Sequence, residues 1–332
     1  MATTPPTDMR ALRWTLDESA AVAASPDLHR ILGPAVGVPM LAVDIGERSD
    51  ESDQLGAVLA GHPVVAMAVG TGAHPTWDLV GESPGSAIDA VLASPNASVV
   101  AAQVLRGHAL RSADEGLLVE SLAYAALQGG PEFAAWLAGR GHRVRRDLHE
   151  PRIEMHDHGP SVEIVLNRPR LHNLMDAAMR DQLVTALVAA GAEPDRALLM
   201  RANGPSFCGG GDPAEFGTVA DTATAHLIRS SANVAPALLA VSERTTVEIH
   251  GPAVGAGIEL AAFAHCVRAT ADATFRLPEL QMGLIPGAGG TVSIPARIGR
   301  QRTLEWLLSG TELDAETALS WGLVDNLIDT AN

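Results

Sequence analysis

Two glutamates and two glycine turns stand close together in one stretch of the chain. Glu259 closes the run His250-Gly-Pro-Ala-Val-Gly-Ala-Gly-Ile-Glu259, and Glu279 follows ahead of Gly283-Leu-Ile-Pro-Gly-Ala-Gly-Gly290-Thr. Two carboxylates converging on one pocket can divide acid and base work. A glycine turn that opens a helix can aim backbone N–H groups at developing negative charge. The first N–H groups of a helix lack intrahelical partners and sit at the positive end of its dipole. Glu259 is flanked by Ile258, Leu260, Ala261, Ala262 and Phe263. A carboxylate inside such an apolar run is costly unless it is used or paired. A second glycine turn, Ser206-Phe-Cys-Gly-Gly-Gly-Asp212, precedes these. Read alone it is an ordinary flexible loop, and each acid alone is an ordinary helix-terminal carboxylate. Two such turns, each after a strand, can supply one N–H apiece to a single oxygen, as in an oxyanion hole.

Strands and helices must hold these groups, and the second half of the chain alternates them clearly. Val162–Asn167, Ala197–Met200 and Thr245–His250 read as strands, and Asp176 caps a helix running to about Ala190. A long helical region broken near Pro236 follows the triple-glycine turn. This alternation predicts parallel pairing in an α/β domain. The first half also alternates. A helix is expected over Asp8–Ala23, with buried strands at Met40–Ile45 and Pro63–Val69. Ser98–Leu105 fits strand or helix. Ser112-Ala-Asp-Glu115 is a capping box opening a helix through Leu127, and a last helix covers Glu132–Leu137. From Gly141 to Gly159 the chain turns polar, which sets expected bounds of 1–145 for an N-terminal α/β domain, 146–160 for a linker and 161–332 for the domain bearing the acids.

Bulk composition narrows the function classes. The chain has 332 residues, is 47% hydrophobic and carries a net charge of −16, which argues against nucleic acid as partner. No charge-free run is long enough for a membrane span. Met1–Asp8 has neither a basic nor an apolar stretch, and two cysteines, Cys208 and Cys266, make no disulfide framework. The expectation is a cytoplasmic enzyme. All 23 basic residues are arginine, so a phosphate on a ligand must meet Arg, His or backbone N–H. The Arg143, Arg145, Arg146 cluster reads as a solvated linker. His156-Asp157-His158 could begin a metal site, but no further ligands stand nearby at familiar spacing, so no metal is expected.

From Val162 to Ile328 the chain resembles the crotonase superfamily of enoyl-CoA hydratases and isomerases. The resemblance rests on Leu166-Asn-Arg-Pro-Arg-Leu-His-Asn173, Phe207-Cys-Gly-Gly-Gly-Asp212, His250–Leu260, Pro278-Glu279, Gly283–Thr291 and Leu308–Asp325. It implies a crotonase-like ββα spiral core, preceded here by an extra α/β N-terminal part that itself echoes a degenerate unit of the same kind. It implies that the N–H groups of Gly209 and Ala256 hold a thioester oxygen, and that Glu259 and Glu279 are the catalytic acids. It further implies CoA contacts at Arg168, Arg170, Leu171 and His172, with Gly210, Gly211 and Asp212 along the adenine and pantetheine path. With both acids present, the reaction implied is hydration of a 2-enoyl-CoA or its reverse. No cofactor is expected apart from the CoA of an acyl-CoA substrate. Another crotonase reaction (double-bond isomerisation or ring chemistry) is the alternative, and a non-catalytic partner subunit is another. Members of the family normally continue, beyond the point matching Ile328, into helices that close the CoA pocket and build a trimer. A homo-oligomer, trimer or hexamer, is expected. Glu248 stands where the family has a small apolar residue; it reads as an outward-facing structural acid, with a third carboxylate near the site as the alternative.

Overall fold

The computed structural model describes residues 10–141 and 151–329. Met1–Asp8 and the Arg143, Arg145, Arg146 cluster lie outside the described residues. The first element among the described residues is a strand, β1 (Ala11–Thr15), which pairs in parallel with β2 (Met40–Gly46). The helix expected from Asp8 is therefore corrected: α1 covers only Leu16–Ala23. Its start is fixed by a capping box, with the Thr15 hydroxyl accepting from the Glu18 N–H and the Glu18 carboxylate accepting from the Thr15 N–H. After α2 (Asp50–Ala60), strands β3 (Val65–Gly70) and β4 (Leu79–Gly81) complete a four-stranded parallel sheet in the order β1-β2-β3-β4. The helices α3 (Gly85–Ala93), α4 (Pro95–Arg106), α5 (Ala113–Gln128) and α6 (Pro131–Gly139) follow. Ser98–Leu105 is thus helical.

β2 shows why its sequence reads as an unbroken apolar run. Met40 and Ala42 face one hydrophobic cluster, while Leu41 and Val43 face another with Leu55 and Leu59 of α2. A strand buried on both faces has no polar side to display.

The second half runs β5 (Ile153–Asp157), β6 (Ser161–Leu166), α7 (Ala177–Gly191), β7 (Ala197–Ala202), α8 (Thr222–Ser231), α9 (Val234–Leu239) and β8 (Thr245–Ile249). It continues with β9 (Pro252–Val254), α10 (Ala256–Ala261), β10 (Cys266–Thr270), β11 (Thr274–Arg276), α11 (Gly290–Ile298), α12 (Arg300–Ser309), β12 (Leu313–Asp314), α13 (Ala315–Trp321) and β13 (Asn326–Ile328). One six-stranded sheet has the order β13-β10-β8-β7-β6-β5, parallel except at β5–β6. A three-stranded sheet, β12-β11-β9, stands apart. His156 and Asp157 lie on the edge strand β5, and no group of three metal-ligand side chains occurs among the described residues. Glu248, on β8, lies 3.5 Å from Arg268 of β10, a weak partly exposed pair away from the two acids.

One hydrophobic cluster runs from the inner face of the first sheet through α4, α5 and α6 into the six-stranded sheet. It joins Met67 and Val104 with Tyr124, Phe133, Ile164 and Ile258. A buried ion pair reinforces the joint, with Asp78 2.6 Å from Arg106 and 3.5 Å from Arg300 of α12.

Candidate active site

β8 ends at Ile249, and the chain turns through Gly251 (φ +55) and β9 to Gly255 (φ +50), which opens α10. That left-handed turn is open to glycine and strained for other residues. It is also a close approach: a Cβ at Gly255 would lie 2.6 Å from Oε1 of Glu279 and 3.9 Å from Oε1 of Glu259. The two carboxylates therefore flank the same point. Glu259 rides on α10, and Glu279 begins the 3-10 turn Glu279–Met282. Both are buried, at 2% and 8% exposure. A cavity of about 270 Å³ is lined by both, together with Gly211, Ala256, Tyr124 and Arg229.

The two acids differ in their surroundings. Oε2 of Glu259 accepts the N–H of Ala288 at 2.7 Å and of Gly290 at 2.9 Å. Burial raises its pKa to about 7, opposed by these N–H groups. Oε2 of Glu279 has no hydrogen-bond partner among the described residues. Burial, and then the charge of Glu259, push its carboxyl well above the ordinary range. The geometry thus favours an ionised Glu259 beside a protonated Glu279.

The oxyanion assignment needs a correction. The N–H of Gly209 donates to the carbonyl of His172 at 2.8 Å and is consumed by the fold. Two residues on, the N–H of Gly211 makes no hydrogen bond among the described residues, and neither does the N–H of Ala256 in the first turn of α10. Gly210 (φ +91) brings these turns together, because a Cβ there would sit 2.9 Å from the Val254 carbonyl oxygen and 4.0 Å from the Ala256 nitrogen. Cys208 lies beneath, fully buried, with its thiol pushed up to about 11 by burial.

Arg168 also departs from expectation. It is 2% exposed and pairs with Asp212 at 2.8 Å and Asp176 at 3.3 Å, so it braces the loops internally and cannot meet a phosphate. Asp212 is spent in the same network, although it borders a second cavity. Arg170 and His172 are exposed, Leu171 is half-buried, and Arg170 makes no ion pair among the described residues.

Sequence reasoning missed three residues. Glu120 of α5, 1% exposed, accepts from the N–H groups of Gly289 and Thr291 at 2.7 and 2.8 Å, and from the Thr291 hydroxyl at 2.7 Å. Burial, then the Glu259 charge, raise its pKa to about 8. Tyr124, one turn on, lines the cavity, and the Arg229 guanidinium stacks 4.0 Å over its ring. A second cavity of about 430 Å³ shares Tyr124, Phe216 and Arg229 and extends past Phe133, Leu137 and Ile228. The buried half of a capping-box helix was the sole available hint of α5's role.

A ββα spiral carrying two carboxylates and two free amide donors around one cavity defines a protein of the crotonase class. The model of the enoyl-CoA hydratase/isomerase family matches residues 160–332. The chain belongs to that family. It is similar to the enoyl-CoA isomerase/hydratase fer4 of Mycosarcoma maydis, 33% identical over 175 residues, which cover 49% of this chain and 64% of that protein. The solved enoyl-CoA hydratase of Thermoplasma volcanium GSS1 superposes with a TM-score of 0.51 at 30% identity, covering 54% of this chain and 72% of the other. The enoyl-CoA hydratase of Mycobacterium smegmatis does so with 0.50 at 27%, covering 54% and 71%.

Proposed function

We propose that the protein adds water across the double bond of a 2-enoyl-CoA, or removes it in reverse. The thioester oxygen accepts hydrogen bonds from the N–H groups of Gly211 and Ala256. Negative charge moves onto that oxygen as the enolate forms, and preorganised donors are worth most at such a point. Glu259, ionised, takes a proton from water as the water oxygen bonds to the β-carbon. Glu279, protonated, gives its proton to the α-carbon. The cycle leaves Glu259 protonated and Glu279 ionised, and proton exchange with solvent restores both. It needs no cofactor beyond the CoA of its substrate. Arg170 and the backbone of Leu171 and His172 are the proposed CoA contacts, and the larger cavity is the proposed acyl pocket.

The single observation that carries this reading is the contrast between the two acids. They flank one point, yet one is held by two N–H groups and the other has an unpartnered oxygen. The test is turnover of crotonyl-CoA, read as loss of the conjugated-thioester absorbance. The wild type consumes it. Glu259→Gln and Glu279→Gln each lose about a hundredfold or more in kcat, the size of a general acid or base contribution. A wild type that binds butyryl-CoA yet leaves crotonyl-CoA untouched contradicts the proposal.

A further inference from the structure

The loop from Glu279 to Thr291 carries one catalytic acid and the N–H donors of the other, and elements from before residue 142 grip it at three places. At Gly283 (φ +71) an added Cβ would lie 2.6 Å from Phe133 N and from Glu132 Cβ, both in α6. At Gly287 an added Cβ would lie 2.5 Å from the Tyr124 ring of α5. At the amino end of α11 the donors alternate. The N–H groups of Ala288 and Gly290 go to Glu259, while those of Gly289 and Thr291 go to Glu120. Those of Gly290 and Thr291 are orphan donors that a helix start leaves unpaired, and those of Ala288 and Gly289 stand just ahead of it. Their division between two carboxylates ties the register of one to that of the other: a one-residue slip of the loop would hand the Glu259 donors to Glu120.

We infer that α5 and α6 form the seat on which the catalytic loop is set, and that Glu120 is the positioning residue for Glu259. Glu120 lines neither of the two cavities. It holds Gly289 and Thr291 so that Ala288 and Gly290 present their N–H groups to Glu259. Tyr124 and the α6 backbone fix the loop on either side, at glycines that leave no room for a side chain. The N-terminal part is thereby a component of the active site, supplied by this chain from outside the segment that the family model matches. The inference rests on the reading of Glu259 as the base.

The test uses the full chain with Glu120→Ala and Glu120→Gln. Amide hydrogen exchange reads the seat directly and without substrate. In Glu120→Ala the segment 287–291 loses protection, while β2, β3 and α12 keep theirs. With crotonyl-CoA, kcat falls between about tenfold and a hundredfold, the cost of a small misplacement of a catalytic group. The Kd for butyryl-CoA stays within about threefold of wild type, since the lost interaction matters only in the transition state. Glu120→Gln, which keeps a side-chain oxygen acceptor, recovers part of both losses. If Glu120→Ala does not fold, Thr291→Val removes one of the three donors and is read the same way. Unchanged protection at 287–291 with wild-type kcat overturns the inference, and so does an equal loss of protection throughout the protein. If the wild type turns over no enoyl-CoA, the proposed reaction fails, while the exchange measurement still decides whether Glu120 seats the loop.

Discussion

Glu259 and Glu279 are chemically identical side chains, both raised by burial, that their neighbours hold differently. Two N–H groups of the α11 start stabilise charge on Glu259, while burial without a partner keeps the proton on Glu279. The pH dependence follows. In the proposed reaction Glu259 works ionised, so kcat/KM is expected to rise with pH through about 7 and to fall again at higher pH as Glu279 loses its proton. A profile of crotonyl-CoA turnover from pH 5 to 10 checks this, and activity that is flat across neutrality contradicts it. Arg168 makes a separate prediction. Its guanidinium is buried between Asp176 and Asp212. Removing one partner of such a cluster leaves charges uncompensated, so Arg168→Ala costs about 3–5 kcal/mol of stability. Chemical denaturation reads that loss. A variant of unchanged stability that merely raises KM would restore Arg168 to the CoA-binding role. This distinction was not legible in the sequence, because an arginine after Asn167 looks the same whether it faces a phosphate or two aspartates. Gly209 and Gly211 were equally indistinguishable within three consecutive glycines. The fold, through the His172 carbonyl, decides which N–H is consumed.

At the scale of elements, close approach does most of the positioning. Gly257 packs α10 against the triple-glycine turn, and a Cβ there would lie 2.6 Å from the Cys208 carbonyl oxygen and 2.9 Å from Cys208 Cβ. Gly257→Ala forces these backbones apart, at a cost of roughly 1–3 kcal/mol. It also moves the Ala256 N–H, so kcat falls as well as Tm. A melting curve and a crotonyl-CoA assay on the one variant check both, and an active, wild-type-stable variant would remove the packing argument. Many elements were legible: the strands of the two larger sheets that read as short apolar runs, and α5 and α7 through their caps. β1 was not, because Leu12 and Trp14 sit in a stretch that also suits a helix, and only pairing with β2 decides for the strand. The insertion of α5 into the site left no signature either. A glutamate on a helix that also carries exposed Leu118 and Leu122 gives no sign that it caps a helix some 170 residues away.

Three of the buried acids, Glu120, Glu259 and Glu279, cluster at the site, and this has a consequence for the stability of the whole molecule. Each has a folded pKa above its ordinary value of 4.5. The folded state therefore keeps protons that the unfolded chain has already released. That contribution is whole below about pH 4.5 and is lost as pH rises through about 7 for Glu259 and about 8 for Glu120. Tm is expected to fall from pH 5 to pH 8, and Glu279→Gln, permanently neutral, should flatten part of that slope. Calorimetry across this range settles it, with a rising Tm as the contrary result. The shared hydrophobic cluster makes a second prediction. A fragment of residues 151–332 exposes the surface that α4, α5 and α6 cover, and it should show no cooperative melt. A fragment that melts cooperatively would mean the N-terminal part is an appendage. The chain spans 64% of the length of the fer4 protein it resembles, and its own helices α5 and α6 lie against the Glu279–Thr291 loop.

The division of labour between the two acids is tested most directly by hydrogen exchange at the α-carbon of butyryl-CoA in deuterated water, followed by mass spectrometry. This reaction needs the two amide donors to hold the enolate and the ionised fraction of Glu279 to take the α-proton and return a solvent deuteron, but no attack by water, so it quickens as pH rises. Solvent deuterium is expected at the α-carbon with the wild type and with Glu259→Gln, and none with Glu279→Gln. Exchange that survives Glu279→Gln, or that vanishes only in Glu259→Gln, would contradict that division.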